Sequence, residues 1–456
     1  MQILSKLSLL VSKVHSLLLV ILPLAIILSL IDFRFHNYFW SDLDRYRFFE
    51  AGAYFDFSSF FSYFLILFVV VSIISVCLRA EEIKSVLVKN KFATILVFIF
   101  GSLLFFSILL SYLNYESIYP YIKSFKFQVV NNYIQPFILF FFLFLTVNDG
   151  EKFRLLKQSF ILTFAVFGLL IIVQSFAHLL PGATHDFLGR SLWPYIDPFL
   201  DLRAESANWL AYLFGPLLLL VVVEFGKIKR PAMKIMNAVA LLVFGVVIFL
   251  TQSYTAILVL LFLVGIFAFL KLPRRAKIIS LFVAPVILGL FVLSQWDSPK
   301  LQILFGTADY SKPNSIVRRL QIYDVNEFAL KNNFVSGLGP GNYQSYFLQN
   351  QNMILESPVP VEEVPPHPHN LVINFWSDLG ILGLVLILLI YGWGIVGGFL
   401  NNSNLYFLVL AYPLLHGLVD TPYTLEENSL IFWILVYFAI HRIARGGEAY
   451  GDVKRN

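Results

Sequence analysis

Two histidines held between prolines are the residues best placed to do chemistry. In Val364-Pro-Pro-His-Pro-His-Asn370 the prolines fix their own φ and push the residues before them out of helical space, so His367 and His369 ride on a stiff, extended segment. Asn370 can cap the apolar helix that starts at Leu371. The positive end of that helix favours nearby anions and a neutral imidazole able to accept a proton. The plainer reading is an interfacial loop that contains two histidines. Two histidines with no cysteine or third ligand beside them do not define a zinc site, so no metal and no cofactor is expected.

Arginines come next. Arg318 and Arg319 lie on a stretch with helical spacing that starts near Ser315, and Arg203 lies just ahead of an apolar run. A guanidinium is suited to forked binding of phosphate oxygens, as a lipid diphosphate would present them. Contact with lipid headgroups is the competing role for each, above all for Arg318 and Arg190. Gly337-Leu-Gly-Pro-Gly341 lacks the Gly-Lys-Ser/Thr ending of a phosphate-binding loop and reads as a tight turn around Gly337 and Gly339. Asp42 and Asp44 resemble the acidic pair of metal-dependent membrane glycosyltransferases, although loop carboxylates are commonly just solvated. Glu426-Glu427 reads as surface, or as a partner for a basic group.

The elements that must position these residues are membrane helices. The 456 residues are 58% hydrophobic and 13% charged, with mean hydropathy +0.77, which excludes an ordinary soluble globule. A bilayer core of ~30 Å needs roughly 20 apolar residues per helix. About 12 runs qualify, near 14–31, 57–78, 92–113, 133–148, 159–180, 209–225, 235–251, 255–271, 278–294, 371–393, 403–420 and 428–441. The first has no small-residue cleavage site after it and reads as a retained helix. The chain thus reads as an all-α polytopic membrane protein. It forms one membrane domain, 1–456, with a large loop, 295–370, between the ninth and tenth helices.

Charge gives the orientation. Lys and Arg concentrate in the segments Arg79 to Lys91, Lys152 to Lys157, Lys227 to Lys234 and Lys271 to Lys277, all on one side. The positive-inside rule makes that side cytoplasmic, which places both termini inside and the 295–370 loop outside. The net charge of +5 then reports topology and gives no reason to invoke nucleic acid. Within the loop, Ile316, Leu320, Tyr323 and Leu330 fall at helical spacing, interrupted by Glu327, which predicts an amphipathic helix lying on the membrane face. Gln349 to Pro366 reads as a flexible approach to the histidines. The single Cys77 can form no internal disulfide.

Together these motifs resemble a family. Arg319-Leu-Gln-Ile-Tyr323, then Gly337-Leu-Gly-Pro-Gly-Asn-Tyr343, then His369-Asn-Leu-Val-Ile-Asn-Phe-Trp-Ser-Asp-Leu-Gly-Ile-Leu-Gly383 are similar in order and topology to the signature of the O-antigen ligase and polymerase superfamily. Arg203 to Ala211 is similar to the family's Arg…Asn-x-Leu-Ala helix start, and Thr251-Gln-Ser-Tyr254 stands where members often carry Thr-x-Ser-Arg, with Tyr254 in place of the arginine. The resemblance implies a GT-C-like membrane glycosyltransferase that takes a glycan from a polyprenyl diphosphate carrier and joins it to an acceptor hydroxyl outside the cytoplasm, in the plasma (inner) membrane.

Carried over, the base is His369, the diphosphate contacts are Arg319 and Arg203, and His367, Asn370, Arg318, Gly337 and Gly339 support them. A diphosphate is already a good leaving group, so a base and cations suffice without metal, and a single displacement inverts the anomeric carbon. Glycan, lipid and protein acceptors all stay open, which leaves ligase, repeat-unit polymerase and protein O-oligosaccharyltransferase as readings. A transporter of lipid-linked glycans is the non-enzyme alternative, weakened by the scarcity of polar residues in the apolar runs.

Overall fold

The computed structural model describes residues 2–32, 58–89, 91–115, 128–147, 149–177, 201–202, 207–251, 253–279, 315–355, 359, 364–365, 367–396, 405–421, 423 and 426–444. Arg203, Arg190, the Asp42–Asp44 pair and most of the expected helix at 278–294 lie outside them. The side chains of Tyr254, Glu426 and Glu427 do so as well.

Apolar runs fold as helices here because a bilayer leaves backbone groups no other partner. In order they are α1 (Gln2–Leu30), α2 (Ser58–Leu78), α3 (Ala80–Lys89) and α4 (Lys91–Tyr115). A π-helical turn (Val130–Ile134) leads into α5 (Gln135–Thr146), followed by α6 (Gly150–Ala177), α7 (Ala207–Phe225), α8 (Pro231–Thr251) and α9 (Tyr254–Lys271). The loop helices are α10 (Ser315–Asn333) and α11 (Tyr343–Ile354). Then come α12 (Leu371–Tyr391), which continues as a π-helical turn to Val396, α13 (Tyr406–His416) and α14 (Glu426–Ala444). Among the described residues seven helices are long and apolar enough to cross a membrane, and four shorter apolar ones fall where four more spans are expected. A two-residue antiparallel ladder, Ile31–Asp32 (β1) with Asp201–Leu202 (β2), ties the end of α1 to the approach to α7.

Large apolar side chains such as Ile66, Phe98, Leu242 and Phe249 face outward, as a hydrocarbon solvent allows. Inside, α7 packs on α8 and α13, α12 on α4, and α14 on α5. One polar cluster marks an end of this bundle: Glu224 on α7 accepts hydrogen bonds from Lys157 (2.5 Å), Tyr406 (2.5 Å) and Lys227 (3.0 Å). The opposite end of α7, at Asn208, lies about 24 Å away by helical rise, and it is there that the histidine segment sits.

Helix α12 is broken in its upper half. Gly380 has φ 66° and ψ −158°, a conformation reserved for glycine. The break frees three carbonyls, and each finds a donor from another element. Ser377 O accepts from the amides of Leu338 (2.6 Å) and Gly339 (3.1 Å), Asp378 O from the Ser111 hydroxyl (3.2 Å), and Leu379 O from the Ser107 hydroxyl (2.5 Å). Ile381 N donates to Val335 O (3.0 Å) and Trp376 Nε1 to Phe334 O (2.9 Å). The glycine turn is therefore spliced into the break. Gly337, at φ 69°, has no room for a Cβ, which would stand 2.6 Å from Trp376 O. Two residues before the break, Tyr133 donates to the buried Asp378 carboxylate (2.7 Å), which Asn374 also contacts (3.2 Å).

Helix α10 differs from expectation. Leu320, expected on its apolar stripe, is 45% exposed, whereas Ile322 is fully buried, together with Val325 and Ala329. These pack with Leu338, Tyr343, Phe347, Val364 and Trp376 into a second small core outside the main bundle. The spacing 322, 325, 329 is as helical as 316, 320, 323, 330; what selects it is the partner surface that α11 and Trp376 supply. The expected flexible approach is partly helical too, because α11 runs to Ile354 and Gln351 Oε1 then accepts from Val359 N (2.8 Å).

Candidate active site

The segment before α12 is fastened to the turn after α13. Asn370 caps α12, its Oδ1 accepting from the amides of Val372 (3.0 Å) and Ile373 (3.1 Å). Its Nδ2 donates to Leu418 O (3.0 Å), and Leu371 N donates to Gly417 O (2.6 Å). From α10, Asn326 Nδ2 reaches Pro368 O (3.4 Å). The stiffness read from the prolines is thus reinforced by contacts to two other elements.

These contacts bring His369 to a carboxylate that sequence reasoning missed. His369 Nδ1 lies 2.8 Å from Asp420 Oδ1, and His367 Nε2 lies 3.8 Å from the same oxygen, with the two rings 4.5 Å apart. His369 adopts a left-handed backbone, φ 51°, uncommon outside glycine and a mark of local strain at functional positions. Asp420 lies four residues past the end of α13 and is buried. Burial opposes its ionisation, but the contacts with His367 and His369 outweigh it and hold the carboxyl well below its ordinary value.

The second oxygen of Asp420 is held as firmly. Asn208, at the start of α7, donates from Nδ2 to Oδ2 (2.6 Å), and the Ser253 hydroxyl donates to Asn208 Oδ1 (2.7 Å). Ser253 is also the N-cap of α9, accepting from Ala256 N. Thr421 N donates to Oδ1 (2.9 Å). A chain of polar contacts thus runs Ser253, Asn208, Asp420, His369 across four elements. In the sequence its signal was a lone acidic residue in Leu418-Val-Asp-Thr421, at the edge of an apolar run where a charge is costly.

The arginines separate. Arg318 turns to its own helix, donating to Gln321 Oε1 (3.1 Å). Arg319 has a buried Nε without a hydrogen-bond partner among the described residues, and it lies within electrostatic reach of His416, which Asp420 also faces. The two neighbouring arginines are thus held differently, Arg318 along its own helix and Arg319 with its Nε buried. Gly337 and Gly339 serve the splice into α12.

One property of the site goes beyond the expected metal-free pair. His367, His369 and Asp420 each offer one donor atom, all within 4.8 Å of one another, a set that a divalent ion could share. In the observed geometry the shortest of these distances is a hydrogen bond between His369 and Asp420.

A family model described as O-antigen ligase matches residues 238–388, which run from within α8 through the loop helices and both histidines to most of α12. The match, over part of the chain, supports the likeness to the O-antigen ligase superfamily that the motifs carry. Asn208 and Asp420 lie outside the matched stretch. No curated protein matches the chain.

Proposed function

We propose that this protein is an O-antigen ligase-like glycosyltransferase, in which His369 activates an acceptor hydroxyl for attack on a glycan carried by a polyprenyl diphosphate. The observation that carries this reading is the 2.8 Å contact between His369 Nδ1 and Asp420 Oδ1. With the proton on Nδ1 and hydrogen-bonded to the carboxylate, Nε2 keeps its lone pair for the acceptor proton, and Asp420 stabilises the imidazolium that results.

The step balances without an added acid. The acceptor oxygen bonds to the anomeric carbon, the bond from that carbon to the diphosphate oxygen breaks, and the hydroxyl proton moves to His369 Nε2. The leaving diphosphate takes the electron pair as an anion, which Arg319 neutralises, with Arg203 as the second expected contact. One displacement inverts the anomeric configuration. The acceptor is a glycan, a lipid or a protein hydroxyl, and the reaction belongs to the extracytoplasmic face of the plasma (inner) membrane, with both termini in the cytoplasm. In this mechanism the base and the arginines do the work, and the chemistry draws on no metal.

The test is transfer by purified protein in nanodiscs, given a lipid-linked oligosaccharide of defined anomeric configuration and candidate acceptors. Release of carrier diphosphate with an inverted product supports the reading. A protein that moves the intact lipid-linked glycan across the bilayer and forms no new glycosidic bond contradicts it and favours the transporter.

A further inference from the structure

Beside the two histidines the sequence shows no third ligand, and the fold supplies one. Asp420 adds a carboxylate to His367 and His369, and the three donor atoms lie within 4.8 Å of one another. Asp420 Oδ1 is the common point, 2.8 Å from His369 Nδ1 and 3.8 Å from His367 Nε2. The ligand atoms of a tetrahedral zinc, each about 2.0–2.1 Å from the ion, stand about 3.3 Å apart. The two measured separations bracket that spacing, and side-chain adjustments of about 0.5 Å bring both to it.

These ligands are oriented from behind, as metal ligands usually are. Asp420 Oδ2 accepts from Asn208 Nδ2 (2.6 Å), and Oδ1 accepts from the Thr421 amide (2.9 Å). Asn326 Nδ2 holds the carbonyl of Pro368, the residue between the two histidines (3.4 Å). Asn370 and Leu371 fasten the same segment to the turn that carries Asp420. In front the group is open: the side chains of His367 and His369 keep 17% and 26% of their surface exposed, which gives an ion access and leaves a fourth position for water.

Donor chemistry selects the ion. Two imidazole nitrogens and one carboxylate suit Zn2+, whereas Mg2+ and Ca2+ take oxygen ligands. What zinc would do follows from the tautomer. The transfer step needs a proton on His369 Nδ1 and a lone pair on Nε2. An ion on Nδ1 occupies the lone pair there, so the single N–H of the neutral ring stands at Nε2, which is then a donor and no longer a base. The proton leaves Nδ1, solvent returns one to Nε2, and Asp420 Oδ1 accepts the ion in place of the N–H.

We propose that His367, His369 and Asp420 form an inhibitory Zn2+ site, in which the ion switches transfer off by capturing the nitrogen that faces Asp420. Binding stands on the geometry alone, and inhibition rests on the transfer reaction proposed above.

The probe is Zn2+ itself, added to detergent-purified full-length protein that has been stripped with EDTA and desalted. Binding is measured by competition with a chromophoric zinc indicator, and transfer is followed in parallel with and without zinc chloride. At saturation the wild type is expected to lose transfer by roughly 10² or more, as for loss of the base, and to regain it on chelation, while Mg2+ at the same concentration has no effect. His367→Ala should bind zinc at least about tenfold more weakly, and the transfer it retains should resist the concentration that silences the wild type. Zinc should also raise the melting temperature of the wild type and not that of His367→Ala, a comparison independent of activity. A wild type that binds no zinc, or His367→Ala and Asp420→Asn proteins that bind it as the wild type does, would overturn the site and leave the reaction standing. Transfer that continues or rises with zinc held by these residues would overturn the inhibition and, with it, the base at His369 Nε2. A protein that binds zinc but transfers nothing, with or without the ion, brings down the reaction and the inhibition together.

Discussion

His369 Nδ1 and Asp420 Oδ1 meet at 2.8 Å although 51 positions separate the two residues in the chain. One stands on the proline-stiffened approach to α12 and the other on the turn after α13, and backbone contacts at Leu371–Gly417 hold the two together. The pairing gives the histidine a fixed direction through Nδ1. Several measurable consequences follow from it and from the fold around it.

Asp420→Asn keeps the shape but replaces an acceptor with a donor. One face of the new amide would then oppose Asn208 Nδ2 or the Thr421 amide, both of which donate in the wild type. Transfer should fall by roughly 10² or more, the scale of losing a well-placed base. Steady-state kinetics on folded protein, checked by its melting temperature, tests this, and activity within a few-fold of wild type would remove Asp420 from the site.

Arg319→Ala should depress transfer severely, and Arg319→Lys should recover only part of it. An ammonium restores the charge but not the forked geometry. Arg318→Ala should cost little, because that side chain is engaged with Gln321 on its own helix. Equal effects of the two alanine variants would contradict the separation of the two arginines.

The broken helix makes a prediction about stability. Gly380→Ala would set a Cβ 2.2 Å from Val335 O, and Gly337→Ala one 2.6 Å from Trp376 O, each at positive φ. The backbone conformation alone costs about 1–2 kcal/mol for an L-residue, before the clash. Both should lower the melting temperature by several degrees, while Gly226→Ala, with open space around it, should not. Thermal unfolding followed by intrinsic fluorescence decides this.

Topology can be probed with one cysteine. In a Cys77→Ser background, Lys331→Cys on the exposed face of α10 should react with an impermeant maleimide in intact cells. Lys229→Cys, in the basic loop between α7 and α8, should react only after permeabilisation. The reverse pattern would turn the site to the cytoplasm.

Much of the helical frame was legible in the sequence, because apolar length is imposed by the bilayer itself. The cap at Asn370, the helix from Ser315 and the turn at Gly337 were legible for the same local reasons. What was not legible depends on partners. The buried face of α10 was misread because 316, 320, 323, 330 and 322, 325, 329 are equally periodic, and only α11 and Trp376 choose between them. The run expected to span 403–420 yields a helix that stops at His416, since Gly417 to Val419 turn to deliver Asp420. Asn208 and Ser253 looked like ordinary helix starts until Asp420 gave them a common partner. Arg203 and the Asp42–Asp44 pair lie outside the described residues.

The most direct test of the central claim is transfer by His369→Ala, assayed with and without EDTA beside the wild type and His367→Ala. A histidine base predicts a loss of roughly 10² or more in His369→Ala with carrier binding retained, a smaller loss in His367→Ala, and wild-type activity that survives the chelator. Transfer that persists in His369→Ala would contradict it and move the active centre elsewhere, and transfer that EDTA abolishes in the wild type would contradict it by putting a metal, shared by His367, His369 and Asp420 or held by other carboxylates, in place of the free base.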